Sequence, residues 1–433
     1  MKTSSLNRTE SGAAAWWGSL RLPHRYMIIT AIGMAVLSFA RIATNAPGLT
    51  AAGQIERSMI LMLPILMAGS GGLFAERVGI INIGLEGMMV LGTWFAGFGG
   101  YHFGPWGALI GGIVGGALGG GVHALLTVIF GVNHTISGFA INLLVGTTGS
   151  GLVRYLSNLY FKGRGSGSQT NSPGFTGTTG QIRIPFLTNS LHTTNWLAKI
   201  GKHQWFVISD FANVLNGFFG ILRLEVVIGL LMIPLTWWVL WRTKFGLSLR
   251  SCGERPSAAD SLGVNVYKIQ ILAVIISGAF AGLGGAILVL DNSGAYLEGQ
   301  TANRGFIGLA ALIFGNWRPV GIFIGAALFG YTDALQVRTT SGDKSVIALF
   351  LIGVVVTAFF AFRAWRKGDT KAMLRSLLVT AVVLALYLIK FEAPDDIVKA
   401  LPYLATLVIL TASSKRLRPP AASGIVWRKG MVG

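Results

Sequence analysis

Residues Phe74 to Gly87 read FAERVGIINIGLEG. The stretch lies between two apolar runs and carries two polar side chains, Asn82 and Glu86, at the edge of or within a membrane span. A carboxylate in hydrocarbon costs roughly 3 kcal/mol or more, so it marks a functional position by default. Asn82 and Glu86 stand four residues apart and share a helix face. Gly79, Gly84 and Gly87 around them let a helix bend or unwind, and broken helices at membrane depth are a recurrent way to line a transport path. The alternative is that the two side chains tie neighbouring helices together by hydrogen bonds.

The rest of the chain has the same character. Of 433 residues, 52% are hydrophobic and 12% charged, too much apolar surface for a soluble core. Apolar windows of roughly 15–20 residues recur from end to end. Spans are expected near 26–40, 58–75, 80–100, 105–130, 135–157, 224–241, 269–290, 305–315, 319–334, 346–362, 377–389 and 400–412. The fold class is therefore an all-α polytopic membrane bundle of about 10–12 spans, some short or broken. The run after Tyr26 ends in Arg41 without a small-residue cleavage site and reads as a retained first span.

Basic residues set the orientation. Arg242, Lys244, Arg250, Arg255 and Lys268 fall in one loop, Arg363, Arg366, Lys367, Lys371 and Arg375 in another, and Lys415, Arg416, Arg418, Arg428 and Lys429 in the tail. All lie on one side of an even number of crossings, in a roughly threefold excess over the short loops of the other side. That side is the cytoplasm. The N-terminal tail 1–25 and the basic tail 413–433 are then cytoplasmic, the transmembrane body spans 26–412, the loop 242–268 is cytoplasmic, and 158–220 is extracytoplasmic. The last is rich in Gly, Ser, Thr and Asn and reads as an exposed, partly mobile excursion. Trp196 to Phe219 within it is expected either to lie as a helix on the membrane surface or to be a solvated connection.

Other chemistries are excluded or unsupported. The single Cys252 rules out a disulfide framework, and no Cys/His set suggests a metal. No phosphate loop, nucleophile–base pair or paired acids appear, so no catalytic residue and no cofactor is assigned. The net charge of +19 is spread over short loops rather than gathered on a soluble domain, which argues for membrane lipid and against nucleic acid. Gly111, Gly115 and Gly119, with Gly112, Gly116 and Gly120, recur at four-residue spacing and predict close helix packing rather than solute contact. Gly278 with Gly282, and Gly321 with Gly325, repeat the pattern.

Residues 252–265 read CGERPSAADSLGVN. Pro256 suits the first turn of a short helix, Ala258, Ala259 and Leu262 share a face, and Gly263 ends it. Such a helix fits a groove on a partner, or is an ordinary amphipathic linker. Together with FAERVGIINIGLEG, it resembles permease subunits of bacterial ABC importers in the branch serving nucleosides, simple sugars and branched-chain amino acids. NRGFIGLAALIFGNWRPVGIFIGAALFG (303–330), the S-G-x-x-x-N pattern ending in Asn142, and LPYLATLVIL (401–410) with the tail after it are similar to the same family. The resemblance covers about 55–335 and 400–433, and leaves 340–398 as an extra hydrophobic hairpin.

The resemblance implies a translocation path near Asn82, Glu86 and Asn142. It also implies a coupling loop in which Gly253, Glu254, Ala258, Ala259 and Gly263 engage a separate ABC ATPase. A second permease subunit, identical or not, and an extracytoplasmic solute-binding protein would complete the assembly. His134 stands where many relatives carry an acid. The combination NIGLEG with GFIGLAALIFG is most similar to nucleoside permeases, with simple sugars as the runner-up. The rival class is an ion-coupled carrier using Glu86, Asp291 or Asp333, and a membrane enzyme is a third.

Reporter fusions after Gly165 and after Lys429 are expected to report opposite sides of the membrane; the same side for both would overturn the orientation.

Overall fold

In hydrocarbon every backbone N–H and C=O must find a partner within the chain, and helices supply nearly all of them. The computed structural model describes residues 22–147, 151–164, 170–184, 186–187, 195–220, 222–291, 294–339, 345–366, 368–389 and 417–430. It is an all-α bundle with one short ribbon. In order come α1 (Leu22–Thr44), α2 (Ala52–Arg77), α3 (Leu85–Ala124), α4 (His134–Val145), α5 (Leu152–Tyr160), α6 (Trp196–Lys202), α7 (Ile208–Phe219) and α8 (Leu224–Arg242). Then follow α9 (Lys244–Glu254), α10 (Pro256–Ser261), α11 (Val266–Asp291), α12 (Arg304–Phe314), α13 (Pro319–Thr339), α14 (Ser345–Arg366) and α15 (Thr370–Leu388). Strands β1 (Gln181–Ile182) and β2 (Leu222–Arg223) pair antiparallel, Gln181 opposite Arg223. Among the described residues six helices are long and apolar enough to cross a membrane. The expected span at 400–412 and residues 1–21 of the expected N-terminal tail lie outside the described residues.

At 40 residues, α3 would be about 60 Å long if straight, twice the hydrocarbon thickness. It is not straight. Gly104 has φ 68 and ψ −164 and precedes Pro105, which has no N–H to continue the ladder. A Cβ on Gly107 would lie 2.5 Å from Phe103 Cβ, one on Gly115 2.7 Å from Phe95 Cβ, and one on Gly119 3.0 Å from Met88 Cγ. One partner number falls as the other rises, so α3 is two antiparallel legs, matching the expected spans at 80–100 and 105–130.

The second leg lies antiparallel to α11 along the glycine repeat. A Cβ on Gly116 would sit 2.6 Å from Gly282 Cα, and one on Gly278 would sit 2.8 Å from Gly120 Cα. Only glycine permits that backbone approach, and in lipid such packing is a main source of helix association. The glycines serve packing, as their spacing implies. The apolar window of α2 is wholly buried among α11, α12 and α13, whereas that of α15 is not buried at all.

The extra hydrophobic hairpin takes the form of α14 and α15, joined by Thr380 donating to Thr357 Oγ1 at 3.0 Å. It rests on α1 and the 47–50 turn through Ala40, Ala46, Leu49 and Ala348, at the edge of the bundle. The excursion is more firmly held than its composition suggests. Ser172 N donates to Tyr296 O at 3.1 Å and Phe175 N to Gly294 O at 2.9 Å. Asp210 of α7 is buried, ion-paired to Arg41 at 2.7 Å, and accepts from the Ser38 and Thr50 hydroxyls.

Gly282→Val is expected to cost about 1–3 kcal/mol by overpacking the seam, measured as a lower melting temperature and recovery in detergent. Gly121→Ala, whose Cβ meets nothing within 4 Å, is expected to match the parent.

Candidate functional site

The helix ladder is interrupted inside the bundle between Arg77 and Leu85, and Val78, Gly79, Ile80, Asn82 and Gly84 there are buried. Asn82 Nδ2 donates to Ser277 Oγ at 2.9 Å. Ser277 lies near the middle of α11, so the interruption reaches well into the membrane. Its backbone groups must find partners within the chain: Val78, Gly79 and Ile80 N bond back to the end of α2, and side chains meet others. Asn142 of α4 accepts from Gly87 N at 2.8 Å and donates to Ile83 O at 3.1 Å. His123 Nε2 lies 3.3 Å from Ile81 O while its Nδ1 lies 2.8 Å from Ser137 Oγ. A carbonyl can only accept, so the proton is on Nε2 and Ser137 donates to Nδ1.

Glu86 sits in the first turn of α3 and caps a second helix. Its Oε2 accepts from Gly305 N, in the first turn of α12, at 2.7 Å. The Thr301 hydroxyl and the Asn303 backbone also bond to it. Two helix N-termini, each with a positive dipole end, thus converge on one carboxylate. Ala302 (φ 45) and Asn303 (φ 62) take left-handed backbone to bring α12 into that position. Arg304 beside them pairs with Asp333 at 3.2 Å.

The structure therefore brings Asn82, Glu86 and Asn142 to one place. Asn142 and Glu86 organise helix ends. Among the described residues, Asn82 Oδ1, His134 Nδ1 and, at the turn's edge, Arg77 Nε are buried without a hydrogen-bond partner. His123, Ser137 and Ser277 belong to the same network and were not singled out from sequence. A histidine in a glycine-rich apolar span was the available signal for the first. The acids of the ion-coupled reading are engaged: Asp291 pairs with Arg57 at 2.6 Å and Arg223 at 3.6 Å, and Asp333 with Arg304.

The candidate coupling segment forms α9 and α10. Thr243 caps α9, accepting from Gly246 N at 3.0 Å; Pro256 opens α10 and Gly263, at φ 85, follows it. Glu254, Ala258 and Gly263 are exposed, whereas Gly253 and Ala259 are buried against the chain's own helices. Gly253 Cα lies 3.7 Å from where a Cβ on Gly79 would be, and a Cβ on Gly253 would run into the Arg77 carbonyl. The segment thus touches the interrupted turn directly. Leu262 is 84% exposed, the most exposed large apolar side chain among the described residues. Neighbouring Cys252 is packed inside, where burial pushes its thiol up to about 11.

The branched-chain amino acid transport system permease component model matches residues 54–355. The chain is 32% identical over 291 residues to the guanosine ABC transporter permease protein NupQ of Bacillus subtilis, covering 65% of this chain and 81% of the relative. It is 33% identical over 326 residues to the nucleoside ABC transporter permease protein NupC of Lactococcus lactis, covering 72% and 92%. It is 35% identical over 298 residues to TsgC13 of Haloferax volcanii, named for glucose ABC transport, covering 67% and 79%. No solved structure matches the chain.

Asn142→Leu strands one buried donor and one acceptor, at about 1–3 kcal/mol each. Thermal unfolding in detergent is expected to show at least that loss; unchanged stability would mean the turn does not depend on Asn142.

Proposed function

The chain belongs to the branched-chain amino acid transport system permease component family, and from that premise we propose that it forms the path of an ABC importer for a nucleoside. The observation that carries the reading is the interrupted turn at membrane depth, its backbone bonded by Asn142 and by His123, which Ser137 orients, and its edge in contact with α9 at Gly253. A turn held by side chains rather than by a helix ladder can change shape without stranding buried groups. Asn82 Oδ1 is an acceptor free to meet a donor of a polar solute, and the His134 ring offers a second unpaired polar atom, Nδ1. The names of two relatives favour a nucleoside; the glucose assignment of a third keeps a simple sugar as the second reading.

The ATP site lies on a separate ABC ATPase, engaged by Glu254, Ala258, Leu262 and Gly263, with buried Gly253 and Ala259 seating the segment. A second permease subunit faces this one, an extracytoplasmic solute-binding protein delivers the solute, and both termini are cytoplasmic. Glu86 acts as a helix cap rather than a proton carrier.

Uptake of guanosine and of glucose into vesicles, with ATP and the proton gradient controlled separately, tests this reading. Guanosine uptake by the parent is expected to require ATP and the ATPase and to survive collapse of the gradient. Glu86→Gln keeps the shape of the cap while removing its charge, and is expected to weaken uptake without changing those dependences. Gradient-driven uptake without ATP would overturn the importer reading.

A further inference from the structure

Residues 417–430 run across the turns on the cytoplasmic side and bind them mainly through backbone. Arg418 N donates to Asn316 Oδ1 at 2.8 Å, in the turn between α12 and α13. Pro419 and Pro420 then limit the strand's freedom. Ala422 N donates to Gly253 O at 2.8 Å and Gly424 N to Gly79 O at 2.9 Å. Trp427 is buried and packs at a tilt against Tyr267 of α11, with centroids 5.1 Å apart. Arg428 covers Gly131 in the turn before α4, Nη2 lying 2.8 Å from where a Cβ would be.

Within three residues the tail therefore bonds both to the last turn of α9 and to the turn that leads to Asn82 and Glu86. Gly253 and Gly79 also abut one another, so coupling segment, interrupted turn and tail make a three-way junction of backbone. A shift of α9 relative to that turn must either break the two tail bonds or carry the turn along. Packing within two discrete arrangements is how motion is passed between sites, rather than by continuous bending.

We propose that residues 417–430 are a strap that locks the coupling segment to the path, with Ala422, Gly424 and Trp427 as positioning residues that make movement of α9 and α10 move the interrupted turn. This rests on the reading of α9 and α10 as the ATPase-binding segment. The strap is not the ATPase contact itself: its bonding atoms face the permease.

The full-length chain, reconstituted with its ATPase and partner subunits, is examined as Ala422→Pro, Trp427→Ala and Leu262→Arg. Ala422→Pro removes the N–H that reaches Gly253; Trp427→Ala leaves the backbone intact. Both strap variants are expected to retain the ATPase and its hydrolysis while uptake falls about tenfold, so that ATP consumed per solute rises. Trp427→Phe is expected to restore the parental ratio. Parental ratios in both strap variants would overturn the strap, and so would loss of the ATPase from them, which would make the tail a docking segment only. Leu262→Arg is expected to lose the ATPase. Its retention at the parental level would remove the coupling reading beneath the proposal, an outcome separate from the strap variants' ratios.

Discussion

Opening a helix ladder inside hydrocarbon exposes peptide groups that have no water to turn to. Most of the candidate site answers that one constraint. Between Arg77 and Leu85 the carbonyls of Ile81 and Ile83 and the N–H of Gly87 are met by His123 and Asn142, side chains from the second leg of α3 and from α4. Glu86 solves the matching problem at the head of α12, where the first N–H groups of a helix have no partner of their own. A charged group is tolerable there because it is surrounded by donors and by two dipole ends.

Close approach is the second half of the same solution. Side chains from three elements can reach one turn only if the helices carrying them come unusually near. Gly116, Gly278 and Gly282 bring the second leg of α3 against α11 at backbone distance, and α11 delivers Ser277 to Asn82. The glycine seam is thus a condition for the polar site. Glycine does similar work at Gly253, where a Cβ would meet the Arg77 carbonyl and force α9 and the turn apart.

The periphery follows different rules. The α14–α15 hairpin meets the rest of the bundle through Ala40 of α1 and through Ala46 and Leu49 beyond it, apart from the network around Asn82. Helix α7 is held by charge instead, with Asp210 pinned between Arg41 and two hydroxyls. Buried and several times hydrogen-bonded, such a carboxylate fixes geometry more than it adds net stability.

The sequence by itself determined the class and much of the chemistry. Apolar run length, set by bilayer thickness, marked the helices, and three glycines around Asn82 and Glu86 marked the interruption; the shared helix face expected from their i to i+4 spacing does not form, because Asn82 lies in the turn before α3 begins. Glycine periodicity identified the packing seam, because period is a one-dimensional property. Partner choice was beyond its reach. Nothing local pairs Glu86 with Gly305, more than two hundred residues away, or His123 with Ile81, since such bonds depend on which helices lie side by side. The pattern of 252–265 gave a small-residue face, yet only the packed bundle decided that Ala259 and Gly253 turn inward while Ala258 and Leu262 face out. The tail's place at Gly79 and Gly253 was equally hidden, because it is made by backbone atoms, which every residue type supplies alike.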